Sequence, residues 1–465
     1  MGKLSTDHLI LGQSGLARAL YDTVADLPII SPHGHCDPEW FATNAPFSDP
    51  AHLLIVPDHY VLRMLVSQGV RLEDMGVARL DGGPVETDPR MIWARFAEHY
   101  HLFAGTPTRA WLDYTFETLF GLEEPLNPST ATAYYDRIAA CLADNVFRPR
   151  ALFDRFKIEV LATTEGTLDP LTHHKAIAES DWPGRVITTY RPDQVTDPDY
   201  EGFAGALDQL AEITGGETES WAGYLEAHRL RRAYFRDHGA TATDHGHPTA
   251  ETADLSQADA AALYDRLRAG RAEAGDAALF RAQMLTEMAK MSAEDGMVMQ
   301  IHPGSFRNHN ARVFNEFGRD KGFDIPTRTD YVHALRPLLN AVGMHPNFTL
   351  ILFTLDEAAY TRELAPLAGA YPCLRLGPAW WFHDSAEGMR RFREMTTETA
   401  GFYNTVGFND DTRAFPSIPA RHDMARRVDC AYLARLVADG QLREPEAFEL
   451  ARVLTVDLPR KAYRL

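Results

Sequence analysis

From residue 158 onward, short apolar runs alternate with stretches of helical spacing, and that alternation leaves few architectures open. Residues 158–164 (IEVLATT), 186–190 (VITTY), 240–243, 297–301, 348–355 (FTLILFTL), 374–376 and 405–408 read as strands. The run that opens at Ile29-Ile30 and is preceded by Pro28 makes an eighth. Helical patterns lie between them at 173–179, 220–238, 256–269, 276–293 and 331–342, and two more follow at about 422–439 and 445–456. Eight strands alternating with helices predict an α/β chain closed into a TIM-type (β/α)8 barrel.

Between the first and second strands, residues 37–157 are helical in pattern and too long for a passive loop. The chain is therefore expected to be a single barrel domain over 1–465. Residues 37–157 form a large helical insertion packed on the barrel and contribute to its active site. Within it, Asp58 is placed to cap a helix carrying His59, Tyr60 and Arg63, with His59 and Arg63 on one face. Thr106-Pro107 starts a helix that Gly121 stops, and Ser129 starts another. Ahead of the first strand, a polar start leads into a short helix with Leu16, Ala19, Leu20, Val24 and Leu27 near helical spacing.

Composition excludes several classes. The net charge of −19 comes without a basic stripe, so nucleic acid is not a partner. Four scattered cysteines without a CxxC pair argue against a disulfide framework and for a reducing compartment. No stretch is apolar enough to span a membrane, and no signal-like segment opens the chain, so a cytoplasmic protein is expected. No glycine-rich loop of the GxGxxG or GxxxxGK[ST] type occurs, and neither does HExxH or GxSxG.

In a TIM barrel the chemistry sits at the C-terminal ends of the strands. In order, those ends carry His33/His35, Thr163-Thr164-Glu165, Arg191, Asp244/His245, His302, Asp356, Trp380/Trp381 and Asp411/Arg413. Residues two apart on an extended backbone face the same way, so His33 and His35 can aim two imidazoles at one ion. With His302 and Asp411 they could form an N,N,N,O site with an open position. Asp411 paired to Arg413 as a plain ion pair is the alternative. Trp380 and Trp381 are expected to wall a pocket.

The ordered motifs resemble the amidohydrolase superfamily and, within it, the uronate isomerase family. The matching pieces are the HxH at 33–35, Asp58-His59-Tyr60 with Arg63, Thr163-Thr164, Arg191-Pro192-Asp193 and Asp244-His245-Gly246. They continue with Gln300-Ile301-His302-Pro303-Gly304, Arg307-Asn308, Asn310, Ala379-Trp380-Trp381-Phe382, Asp384 and Asp411-Thr412-Arg413-Ala414-Phe415. The chain departs from the family pattern at Pro32 before His33, at Asp37-Pro38 after Cys36, and at Asp410, which adds a second carboxylate beside Asp411.

The resemblance implies a metal-assisted aldose–ketose isomerase of hexuronates, D-glucuronate to D-fructuronate and D-galacturonate to D-tagaturonate, by proton transfer between C2 and C1. It implies one divalent ion, zinc, on His33, His35 and Asp411. His59 and Tyr60 face the sugar, and either Asp411 or Tyr60 moves the proton. His302 binds metal or substrate. Arg413 is the leading partner for a carboxylate or oxyanion, with Arg191 and Arg307 behind it. The expected partner is a small sugar acid, and a homo-oligomer is left open. Two rivals remain at this level: a metal-dependent amidohydrolase acting on a small acidic substrate, and a non-catalytic sugar-acid binding protein.

Overall fold

The structure, a computed structural model, describes residues 11, 12 and 14–465, so most of the expected polar start lies outside the described residues. The first helix, Gly15–Val24, is capped by the Ser14 side chain. The barrel strands follow in chain order: Ile29–Ser31; Ile158–Ala162, continued by Glu165–Gly166; and Val186–Ile187, continued by Tyr190–Arg191. Next come Ala242–His245, Val298–Ile301, Leu350–Leu352 and Leu374–Leu376, then a single bridge from Leu376 to Thr405. From the first strand to the bridge at Thr405, neighbours pair in parallel. The second and third strands break locally, yet Thr163 N–H to Ile187 O (2.8 Å) and Glu165 N–H to Thr189 O (3.1 Å) carry the ladder across. The ring closes where the His35 N–H donates to Thr412 O at 3.0 Å.

Parallel strands covered on both faces need apolar residues at every position, and here the two faces meet different partners. Met299, Ile301, Leu350, Leu352, Leu374 and Leu376 pack outward against the helices. Ala242, Val298, Ile351, Phe353 and Val406 cluster instead with Ala462 and Tyr463. Ile30, Val160, Ala162 and Ile187 cluster with Val456. The end of the chain thus seals the N-terminal mouth of the barrel. The Tyr463 hydroxyl lies 3.1 Å from Gln300 Oε1, and Arg464 bonds the backbone of Gly296 and Asn347. Packed from below, the barrel opens toward the strand C-termini.

The section after the first strand folds into helices around an aromatic core that includes Phe41, Trp93, Phe96, Phe116 and Phe120. Asp58 caps the helix His59–Ser67 by accepting the N–H groups of Tyr60 and Val61. Thr106 and Gly121 bound the helix Pro107–Phe120 as expected. The next helix is Ala131–Leu142, with Thr130 rather than Ser129 ahead of it.

Several other elements differ from the sequence reading. The helix expected over 331–342 is only Arg336–Val342, because Pro337 fits the first turn and the Tyr331 N–H is taken by Glu363 at 2.7 Å. The fourth strand runs through Asp244 and His245 instead of stopping at Thr243. Helices Phe203–Thr214 and Ala386–Ala400 and the hairpin Ser305–Phe306/Ile325–Pro326 were not expected. Among the described residues no helix is long and apolar enough to cross a membrane.

Candidate active site

The open end of the barrel holds a cavity of about 500 Å³. Its wall includes His33, His35, His59, Tyr60, Arg191, His302, Arg307, Trp380, Trp381, Asp411 and Arg413, so every site residue expected from the sequence is brought together there. His59 and Tyr60 come from the helical section after the first strand, and their rings stack at 4.6 Å. Asp356, at the end of the sixth strand, does not line the cavity; it accepts the N–H of Ala358.

Asp411 Oδ1 lies 3.5 Å from His33 Nε2 and 3.1 Å from His35 Nε2. That oxygen is buried and has no hydrogen-bond partner, while its mate, Oδ2, accepts the Trp380 indole N–H. Three ligand atoms of His33, His35 and Asp411 lie within 4.8 Å of one another. A buried carboxylate oxygen without a partner, facing two imidazole nitrogens, fits a divalent cation. Burial opposes ionisation of Asp411, but the two imidazoles outweigh it and hold the carboxyl well below the usual range.

His302 sits behind this group. Its ring stacks on His33 at 4.7 Å, and its Nδ1 is 2.6 Å from Asp244 Oδ1. That leaves His302 Nε2 buried and unpartnered, and His33, Asp244 and His302 also converge within ligand distance. Asp244 is held well below the usual carboxylate range; Arg191 and His302 overcome the burial that would raise it.

The arginines are not equivalent. Arg191 is committed to Asp193 (2.8 Å) and Asp244 (3.2 Å), and Arg307 to Asp324 (2.8 Å) while lying over the Trp381 ring. Arg413 does not pair with Asp411. Among the described residues its ion pair is with the half-exposed Asp320 at 3.4 Å, and it is itself 43% exposed. Burial, aided by Arg413, pulls His59 down to about 3, so its imidazole is neutral. Burial pushes the Tyr60 phenol well above its usual range, so it keeps its proton.

Backbone strain concentrates here as well. Asn308, Asp320, Trp381 and Asp411 all have positive φ, and all four line the cavity. For Trp381, at φ +51°, such a conformation costs about 1–3 kcal/mol and persists only where surrounding contacts enforce it.

One contributor escaped the sequence reading. Arg421, on the helix Ile418–Ala438, is buried against the Trp111 ring at 3.6 Å and binds Asp384 and the Asp410 carbonyl. Burial lifts Asp384 to about 7. An arginine in a long helix carries no local signal that it points inward. The extra carboxylate, Asp410, is held by His422 at 2.9 Å and so belongs to the support beneath Asp411.

A (β/α)8 barrel with two histidines at the end of the first strand and an aspartate after the eighth is the arrangement of an amidohydrolase-superfamily enzyme, with side chains that could hold a metal ion. Comparison with known proteins narrows this. Residues 1–456 match the family model for glucuronate isomerase. The uronate isomerase of Mesorhizobium japonicum is 70% identical over 450 residues, covering 97% of this chain and 96% of its own length. The crystal structure of glucuronate isomerase from Caulobacter crescentus superposes with a TM-score of 0.96 at 60% identity, covering 98% and 96% of the two chains. Uronate isomerase from Thermotoga maritima gives a TM-score of 0.92 at 27% identity, covering 100% of both. The chain belongs to the glucuronate isomerase family.

Proposed function

We propose that this chain, a hexuronate isomerase by family, holds one divalent ion, zinc, on His33, His35 and Asp411. It converts D-glucuronate to D-fructuronate and D-galacturonate to D-tagaturonate as a cytoplasmic enzyme. The observation that carries the site assignment is the unpartnered Asp411 Oδ1 facing the two Nε2 atoms at 3.1 and 3.5 Å inside an arginine-walled cavity. Residues 1–465 act as one domain, with 37–157 as an insertion that supplies His59 and Tyr60.

An ion bound there would supply positive charge beside the oxygen that becomes negative in the enediol-like state. The remaining work falls to side chains. Of the two groups able to move the proton, Asp411 is the ionised one and takes it from C2 and returns it to C1. Tyr60 stays neutral and donates its O–H to the sugar oxygens as charge shifts between them. C2 gives up a proton to Asp411, that proton exchanges with solvent in the enediol-like state, and C1 receives one back while O1 gains what O2 loses, so the redox change is internal to the sugar. Neutral His59 bonds a hydroxyl. His302, fixed by Asp244, presents Nε2 to the substrate. Arg413, less committed than Arg191 and Arg307, takes the substrate carboxylate. Arg191 and Arg307 hold the walls, and Trp380 orients Asp411 through its indole N–H.

The test is incubation of the zinc-loaded protein with each uronate in deuterium oxide, followed by NMR. Ketouronate carrying deuterium at C1 is expected. No ketouronate from either substrate, with hydrolysis of acyl-amino compounds instead, would favour the hydrolase.

A further inference from the structure

The tripeptide His-Gly-His occurs twice, at 33–35 and at 245–247. Both copies sit at the C-terminal end of a barrel strand, the first and the fourth. The second copy uses the alternation of the strand. Asp244 faces the cavity and is held by His302 and Arg191, whereas His245, the next residue, points to the other side, and His247 follows His245. The carboxylate of Asp193, from the end of the third strand, meets these two rings. One ligand atom from each of Asp193, His245 and His247 lies within 4.8 Å of the others. This is the donor set of the first site, two imidazoles and a carboxylate, on different residues.

We infer that Asp193, His245 and His247 form a second divalent-cation site, distinct from the one on His33, His35 and Asp411 and separated from it by Arg191 and Asp244. Two independent observations support it. First, His245 Nδ1 and His247 Nε2 are buried and have no hydrogen-bond partner, although buried ring nitrogens are ordinarily paired. His245 Nε2 is 3.1 Å from Thr243 Oγ1, which fixes the ring and leaves Nδ1 as the free ligand atom. Second, the backbone is shaped for the group. The Gly246 N–H reaches both Asp193 oxygens at 3.1 and 3.2 Å, and a Cβ at 246 would stand 2.2 Å from Arg191 Nη2 and 2.9 Å from Asp193 Oδ2. A side chain at 246 would have to displace one of them.

Asp193 Oδ2 also accepts Arg191 Nε at 2.8 Å, but each carboxylate oxygen has two lone pairs, so capacity remains for an ion. Arg191 is balanced by Asp193 and Asp244 together. Burial holds the two histidines neutral, the form that binds metal. Two imidazoles and one carboxylate suit zinc, manganese or ferrous iron rather than magnesium or calcium.

The experiment strips the full-length protein with chelator, saturates it with Zn2+, removes free ion and measures bound zinc by plasma mass spectrometry. Two equivalents are expected. His247→Gln should lower the count to one, and His33→Ala should do the same by emptying the other site. A crystal at the zinc edge should show two anomalous peaks, one among Asp193, His245 and His247. That peak decides the matter even if His247→Gln fails to fold. A single equivalent that disappears with His33→Ala and is untouched by His247→Gln overturns the inference. So does an anomalous map at saturating zinc without the second peak. Because the two sites lose their ions in different variants, failure here is distinguishable from failure of the first assignment.

Discussion

Glu165 offers a sharp test of how the strand ends are stabilised. It continues the second barrel strand beneath the cavity and is only 7% exposed. Its carboxylate accepts the Thr188 hydroxyl, and no arginine or lysine pairs with it among the described residues. The ring beside it, His174 at 3.7 Å, is itself held neutral, pulled to about 4 by burial. Burial therefore dominates and raises Glu165 from its ordinary 4.5 to about 7. A raised carboxyl makes the folded state bind more protons than the unfolded one between those values, so its contribution is fully present below pH 4.5 and is lost as pH rises through 7. At about 1.4 kcal/mol per unit, the full penalty above pH 7 is about 3 kcal/mol. Glu165→Gln keeps an acceptor for Thr188 and removes the titration. In urea unfolding, the variant should gain about 2–3 kcal/mol on the wild type between pH 5 and pH 8. For a chain of this length that is about 3 °C in Tm. A difference that does not change with pH would refute the reasoning, because only ionisation of Glu165 makes it pH-dependent.

Three further outcomes are expected. His33→Ala should lose zinc from the first site together with isomerase activity, read by metal analysis and turnover on the same sample; full activity without that zinc would remove His33 from the centre. Tyr60→Phe should retain zinc and lower kcat by about 100-fold, the low end for loss of a positioned proton-handling group, and an unchanged kcat would exclude the phenol from the chemistry. Tyr463→Phe leaves buried Gln300 Oε1 without its hydroxyl partner and should cost about 1–3 kcal/mol in urea unfolding with KM unaltered. No loss of stability would mean the seal beneath the barrel is purely apolar.

The sequence made the barrel readable because buried parallel strands must be apolar on both faces, and runs such as 348–355 have no other use. The same rule blurs strand ends. Asp244 and His245 look like a turn in sequence, yet they lie within a strand because the residues that do the work replace apolar ones at its last positions. Helix Ala386–Ala400 was hidden for a related reason. Its buried positions include Arg393, paired to Asp429, and Thr396, which do not register as an apolar stripe. Apart from His59 and Tyr60 on the helix His59–Ser67, most of the active-site residues that could be read sit at or just after strand ends, where nothing in the packing calls for a histidine or an arginine. Arg421 could not be read that way, since its place depends on how the helix Ile418–Ala438 is rotated against the barrel, which only tertiary packing decides. The second His-Gly-His was equally visible in the sequence but lacked meaning there. A pair of imidazoles needs a carboxylate from elsewhere to become a site, and Asp193 is brought to it only because the third and fourth strands are neighbours in the sheet. Motif spacing therefore finds ligands that share a strand, while the closure of the barrel decides which of them meet a third.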